Sequence, residues 1–282
     1  MRSMPTVADK RRTFRALHEQ GCFVIPNPWD VGTARYLQHL GFKALASTSA
    51  GFAFAEGFAD NAITRDMALA HLRELVAATD IPVNADFEGG FADAPAGVAE
   101  SVTLAVATGV AGLSIEDSTG DKANPLYDFD LAVARIRAAR AAIDTAGGDV
   151  VLTARSEGFL VGRPDLDETI HRLKAFAAAG ADCLYAPGLR TRELIGAVIN
   201  AVAPKPVNII MSGALGITVA ELAALGARRI SVGSALSRTA WGAFIRAAKQ
   251  IAEEGRFDAF AEGAPHPELN AFFADDMKTR PQ

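Results

Sequence analysis

The 282-residue sequence predicts an α/β protein built as a single (β/α)8 barrel of the TIM type. Three observations carry this reading. Short apolar, β-branched runs recur eight times. Longer stretches of helical periodicity separate them. Glycine stop signals stand just ahead of several of the short runs. Such alternation implies βαβ units and a parallel sheet. Eight units favour closure into a barrel over an open sheet. No G-x-G-x-x-G follows the first run, which argues against a dinucleotide-binding fold.

The eight runs are Cys22–Pro26, Ala44–Thr48, Pro82–Asp86, Gly112–Glu116, Val150–Ala154, Asp182–Ala186, Val207–Met211 and Arg229–Val232. The helical stretches include Arg65–Thr79, Ala94–Thr108, Asp130–Thr145, Asp167–Ala179 and Arg190–Ala201, where apolar residues recur at helical spacing. Leu40-Gly41, Thr108-Gly109, Ala179-Gly180 and Leu225-Gly226 each end a helix shortly before a strand. A long helix is expected from about residue 235 to Glu254, then a tail with a short helix near Pro267–Asp276. The barrel domain is therefore read as 1–255 and the tail as 256–282.

Composition narrows the function. The formal charge is −5 and the basic residues are scattered, which excludes a nucleic-acid footprint. No apolar run reaches the ~20 residues of a membrane span, so no membrane partner is expected. The N-terminal charges precede no apolar stretch, so no signal peptide is read and a cytoplasmic location is expected. Two cysteines, Cys22 and Cys183, exclude a disulfide framework and read as buried inert thiols. The five histidines fall in expected helices or the tail, which argues against a histidine-ligated metal and a Ser-His-Asp triad. No strand ends in lysine, so a Schiff-base mechanism lacks its nucleophile.

In a parallel barrel the active site forms at the C-terminal strand ends. Asp86 and Glu88 follow strand 3 and Glu116 ends strand 4. Asp60, after strand 2, adds another acid. Oxygen donors of this kind suit Mg²⁺, with Mn²⁺ as the alternative. These acids could instead cap helices or pair with Arg155 and Lys122. Arg155 ends strand 5, where a guanidinium can grip a carboxylate or carry the charge of an enolate oxygen. It could also serve as partner to Glu116 or Glu157. The hydroxyls and amides of Ser47–Gly51 could hold an anionic group, or form a plain turn. Asn208 on strand 7 is a further polar candidate.

Taken together, these segments resemble the isocitrate lyase/phosphoenolpyruvate mutase superfamily from about residue 10 to 250. The family's Asp-Ala-Asp and Gly-rich loop stand as Asn84-Ala85-Asp86-Phe87-Glu88-Gly89-Gly90. Its Ile-Glu-Asp stands as Ile115-Glu116-Asp117 and its Ala-Arg as Ala154-Arg155. Asp167–Arg172 and Ala179–Asp182 match further segments. The resemblance implies Mg²⁺ held by Asp86 and Glu116 largely through water, with Asp60 outside them and Asn84 and Glu88 as further candidates. It implies a substrate carboxylate bound near Thr48, Ser49, Ala50 and Gly51, and Arg155 beside the 2-oxo oxygen. It also implies a homo-oligomer, dimer or tetramer, with swapped C-terminal helices.

The chain departs from the family at three places. Asn84 replaces the first aspartate. The segment after strand 4, Asp117–Pro125, lacks the Lys-x-Cys-Gly-His acid, although Lys122 could stand in for its lysine. Ala46 replaces an aromatic residue on strand 2. The expected activity is a Mg²⁺-dependent lyase on a small 2-oxo or 2-hydroxy acid, with Arg155, Glu116 and Lys122 as catalytic candidates and oxaloacetate- or methylisocitrate-like substrates. Its rivals are a C–P bond enzyme of the phosphonopyruvate hydrolase or carboxyphosphonoenolpyruvate mutase type, and a non-catalytic 2-oxo acid binder.

Overall fold

The computed structural model describes residues 5–147 and 149–280. Eight strands run parallel: β1 Phe23–Ile25, β2 Leu45–Ala46, β3 Val83–Asp86, β4 Gly112–Glu116, β5 Val151–Arg155, β6 Cys183–Tyr185, β7 Val207–Ile210 and β8 Arg229–Ser231. Their order is β1-β8-β7-β6-β5-β4-β3-β2, which is that of a (β/α)8 barrel. The seam between β1 and β2 lacks a full ladder. It is bridged by one backbone bond, Ala46 N to Pro26 O at 3.0 Å.

Asn27 reinforces that seam. Its Nδ2 donates to Ser47 O at 2.8 Å, and its Oδ1 accepts from Val232 N and Gly233 N, each at 2.9 Å. One buried side chain thus joins the first, second and eighth strand ends. Through these three hydrogen bonds its amide satisfies backbone groups that short strands leave unpaired.

The helices are α1 Val7–Leu17, α2 Val31–His39, α3 Ser49–Ala55, α4 Arg65–Ala78, α5 Pro95–Ala107, α6 Phe129–Thr145, α7 Leu166–Ala178, α8 Arg192–Val202 and α9 Val219–Ala224. Strand residues alternate between two environments, as the pleat requires. Leu113, Ile115, Leu152 and Ala154 join the core shared with Val102, Ile136, Ile143 and Phe176 of the helices. Phe23, Ile25, Ala46, Val151 and Cys183 face the barrel interior and pack with Phe14 of α1. Cys183 is buried, Cys22 is half-buried, and both are free thiols.

α1 therefore closes the end of the barrel opposite the strand C-termini. Phe14 is fully buried and meets the rings of His18 and Phe23 edge-on at 4.7 and 6.3 Å. Gly112 makes this possible. A Cβ there would lie 2.5 Å from the Phe14 ring and 2.6 Å from Asn84 Oδ1, well inside van der Waals contact.

From Ala235 onward the chain forms a second compact unit. It comprises α10 Ala235–Glu254, a 3₁₀ turn Asp258–Glu262 and α11 His266–Thr279. The long helix thus groups with the tail, and the barrel unit ends at Ser234. Ala259 N donates to Gln250 Oε1 at 2.9 Å and ties the turn back onto α10. Among the described residues no helix is long and apolar enough to cross a membrane.

Phe14→Ala should lower the unfolding free energy by about 3–5 kcal/mol, the range for truncating a buried aromatic residue. Urea denaturation measures it. A loss below about 1 kcal/mol would mean that α1 does not plug the barrel.

Candidate active site

Arg155 is the centre of the strand-end cluster. Its Nη1 donates to Asp86 Oδ1 at 2.8 Å, its Nη2 lies 3.1 Å from Glu116 Oε2, and its Nε donates to Glu157 Oε1 at 2.8 Å. Register explains the meeting. β4 and β5 pair from Gly112↔Val151 to Glu116↔Arg155, so both strands present a charge at their last residue. The Tyr185 ring lies 5.0 Å from the guanidinium carbon, one strand further round, in register with Arg155. The structure thus brings together Asp86, Glu116 and Arg155. The family role of each acid and its pairing with Arg155 are compatible.

Burial opposes the charge of Arg155, but Glu157, Glu116 and Asp86 outweigh it and hold the guanidinium protonated. Burial raises the Glu116 and Glu157 carboxyls, and Arg155 works against that rise in both. Such buried groups are tolerable only as a set.

Asp86 is fixed from its other side. Ser49 donates to Asp86 Oδ2 through its amide at 3.0 Å and its hydroxyl at 2.8 Å. Asp86 N donates to Ser47 Oγ at 2.9 Å. The Ser47–Gly51 segment is not a plain turn. It opens α3, with Thr48 as N-cap accepting from Gly51 N at 3.2 Å. The amides of Ser49 and Gly51 are thus already taken by Asp86 and Thr48. Ala50 sits between them in the same first turn.

Glu88 is the strained member of the group. Its φ is 48°, in the left-handed region that suits glycine and costs other residues about 1 kcal/mol or more. Its Oε1 is buried without a hydrogen-bond partner. Burial, then Asp86 and Asp60, push its carboxyl up to about 7. Asp60 lies in the loop after α3 and is raised by partial burial and by Asp86. These acids repel one another across the barrel mouth, and Arg155 is the cation that acts on each.

Other expected residues lie elsewhere. Asn84 sits below the mouth. Its Nδ2 donates to Ala85 O at 3.1 Å, its Oδ1 has no partner, and that oxygen faces Gly112 near Phe14. Asn208 is also inside the barrel. Its Oδ1 accepts from Arg229 Nε at 2.8 Å and its Nδ2 donates to Ser231 Oγ at 2.9 Å. Each end of its amide thus has a partner within the barrel. Lys122 is exposed in the loop after β4.

Two buried arginines hold the loops that carry the acids; the sequence marked Arg172 only as the end of a matching segment, and Arg135 not at all. Arg135 of α6 donates to Asp93 O at 2.7 Å and to the carbonyls of Ala92 and Gly89. Its guanidinium lies 3.9 Å over the Tyr127 ring. Arg172 of α7 donates to Asp117 Oδ2 at 3.2 Å and Tyr127 O at 2.9 Å. Asp117 in turn accepts from Glu157 N at 2.8 Å, which orients the Glu157 carboxylate toward Arg155. Apolar periodicity marked the helices, but nothing local marked the polar position of Arg135.

Asp60, Asp86, Glu88, Glu116 and Glu157 place five carboxyl groups around one guanidinium. This excess of acid, with the orphaned Glu88 oxygen, fits a divalent cation. Among the described residues no three Asp, Glu, His or Cys side chains converge tightly enough to enclose a metal directly. The donor set therefore suits a hard cation that keeps most of its waters.

The family model for phosphoenolpyruvate phosphomutase matches residues 14–252. The chain belongs to the isocitrate lyase/phosphoenolpyruvate mutase superfamily. Members of this superfamily are lyases and mutases. A candidate lyase/mutase from Burkholderia cenocepacia shares 50% identity, with a TM-score of 0.91 over 95% of this chain and 96% of that one. The oxaloacetate decarboxylase of Paraburkholderia xenovorans is 30% identical over 240 residues, 82% of this chain and 77% of the relative. The structure of 2,3-dimethylmalate lyase is 28% identical, with a TM-score of 0.82 over 98% of both chains.

In protein stripped of divalent cations, the raised Glu88 carboxyl has a signed effect on stability. The folded state holds this proton more tightly than the unfolded chain. The native state is therefore disfavoured progressively from the ordinary glutamate range up to about pH 7. Glu88→Gln should raise the Tm relative to wild type at pH 8 and change it little at pH 4.5. An equal shift at both values would remove this electrostatic account.

Proposed function

We propose that the protein is a Mg²⁺-dependent lyase that decarboxylates or cleaves a small 2-oxo carboxylate through an enolate, with oxaloacetate as the favoured type of substrate. The observation that carries this is the guanidinium of Arg155 gripped by Asp86, Glu116 and Glu157 at the strand ends. The 30% identity to an oxaloacetate decarboxylase points the same way.

The residues divide the work. Asp86 and Glu116 would hold the cation, with Asp60 and Glu88 adding negative charge around it. When bound, the cation supplies Lewis-acid charge for the substrate's carboxylate and 2-oxo oxygens. Arg155 has five N–H groups, and three are committed to its acids. Two remain for an oxygen that gains charge as a neighbouring bond breaks. Ser49 and Glu157 keep Asp86 and Arg155 in fixed orientations, so little reorganisation accompanies that change. Low exposure at Arg155 and Glu116 strengthens every charge interaction within the cluster.

The same charge balance argues against C–P chemistry. A phosphoryl group in transfer needs several cationic contacts, whereas Arg155 is the cation acting on these acids and Lys122 is exposed.

The reading includes self-association through the C-terminal unit. Trp241, Phe244, Ile245 and Ile251 recur at helical spacing along α10 and are all exposed in the single chain, Phe244 at 60%. A row of large apolar side chains on one helix face marks a contact surface. Phe244→Glu should shift the oligomer toward monomer in sedimentation. A wild type that is already monomeric at micromolar concentration would sink this part.

Purified protein should release CO₂ and pyruvate from oxaloacetate with Mg²⁺ and lose that activity with chelator. Methylisocitrate, isocitrate and phosphonopyruvate serve as comparison substrates. Asp86→Ala should abolish measurable Mg²⁺ binding by calorimetry, and Arg155→Lys should lower kcat/KM by about 10²–10³-fold. Turnover of none of these acids, with thermal stabilisation by 2-oxo acids, would identify a binder instead. Unchanged Mg²⁺ binding in Asp86→Ala would remove the metal assignment.

A further inference from the structure

Ser47 points away from the barrel axis. Along β2 and its extension, Ala46 packs with the interior residues and Leu45 with the helix-facing core, so Ser47 shares the outward side with Leu45. A cavity of about 10 Å³ lies there, lined by Ser47, Thr48 and Asp86 and by Phe52 of α3 and His71 of α4. It sits behind the acids, between the strand ends and the two helices.

His71 is the unexplained group in this wall. It is 6% exposed, and its Nε2 is buried with no hydrogen-bond partner. Its ring stacks on that of Phe52, with centroids 4.0 Å apart and planes 12° from parallel. Burial lowers its imidazole to about 4, with Asp30 opposing, so the ring is neutral at ordinary pH. A neutral imidazole has one donor and one acceptor nitrogen, and leaving either unmet at this depth is costly.

Two hydroxyls line the same space. Ser47 Oγ accepts from Asp86 N at 2.9 Å, and Thr48 Oγ1 accepts from Gly51 N at 3.2 Å. A hydroxyl that has accepted one hydrogen bond keeps its own proton to give. An ordered water needs the space of about one water-sized sphere and roughly two to four polar partners. This cavity supplies both. A water also donates and accepts, so it serves either tautomer of His71.

We propose that His71 is a positioning residue for the cation site: through one water shared with the Ser47 and Thr48 hydroxyls, it fixes the turn that aims Asp86. The inference rests on the assignment of Asp86 to the cation. Ser47 holds the Asp86 amide, while Ser49 holds Asp86 Oδ2. Slack in the 47–49 turn therefore passes directly to the carboxylate. The Phe52 stack seats the same helix one turn further along. α4 thus grips α3 by a polar and an apolar contact, and His71 touches neither cation nor substrate.

The test measures Mg²⁺ affinity by calorimetry on wild type, His71→Phe and His71→Gln, each shown to be folded by circular dichroism. His71→Phe keeps the aromatic stack and removes the ring nitrogens. His71→Gln loses the stack and carries an amide to about the position of Nε2. Positioning through water predicts that His71→Phe binds Mg²⁺ about 10–100-fold more weakly, the range for groups that orient metal ligands, and that His71→Gln recovers most of the loss. A packing role predicts the reverse order. His71→Phe within about 3-fold of wild type, or His71→Gln no tighter than His71→Phe, overturns the inference and leaves the cation assignment standing. Wild type that binds no Mg²⁺ overturns both. If either variant does not fold, a high-resolution crystal structure of the wild type decides. Water within about 3.2 Å of His71 Nε2 and of either hydroxyl supports the inference, and its absence there overturns it.

Discussion

A guanidinium side chain only 13% exposed holds three strand ends together through Asp86, Glu116 and Glu157. None of these groups is affordable alone at that depth. Arg155 makes the acids tolerable, and the acids keep Arg155 charged. The set is nonetheless unbalanced toward negative charge, and Glu88 shows where the imbalance falls. It is held in a backbone conformation that glycine would adopt more easily, with one carboxyl oxygen unpartnered. Local strain and an unmet charge at one residue are consistent with the cation proposed for this mouth.

The shell behind the acids is made of arginines that bind carbonyls. Arg135 fixes the loop after β3 through Gly89, Ala92 and Asp93. Arg172 fixes the loop after β4 through Tyr127 and Asp117. Loops anchored this way have fewer ways to move their side chains, which favours electrostatic preorganisation. The barrel contributes register, and the arginines extend that order into the connections.

The strands and the trio Asp86, Glu116 and Arg155 were legible because charges that terminate apolar runs in a parallel barrel have one place to go. Depth was not legible. Asn208 follows a strand-like pattern, yet its level inside the barrel is set by Arg229, 21 residues away. Asn84 likewise falls beneath the mouth because it lies two residues before Asp86 on the same face. The opening of α3 was hidden because Ser-Ala-Gly composition carries little helical signal, although Thr48 with an amide three residues on is an N-cap pattern.

Asn27 adds an order in time to this architecture. Its carbonyl oxygen accepts from backbone amides 205 and 206 residues further along, so the staple at the seam has no partner until nearly the whole barrel has been synthesised. A nascent chain must carry β1 and β2 with raw edges through all that time, during which they can pair wrongly or with another chain. Folding of this protein is therefore tied to completion of its translation, and a chain stopped short of the eighth strand would be left with an unsealed sheet.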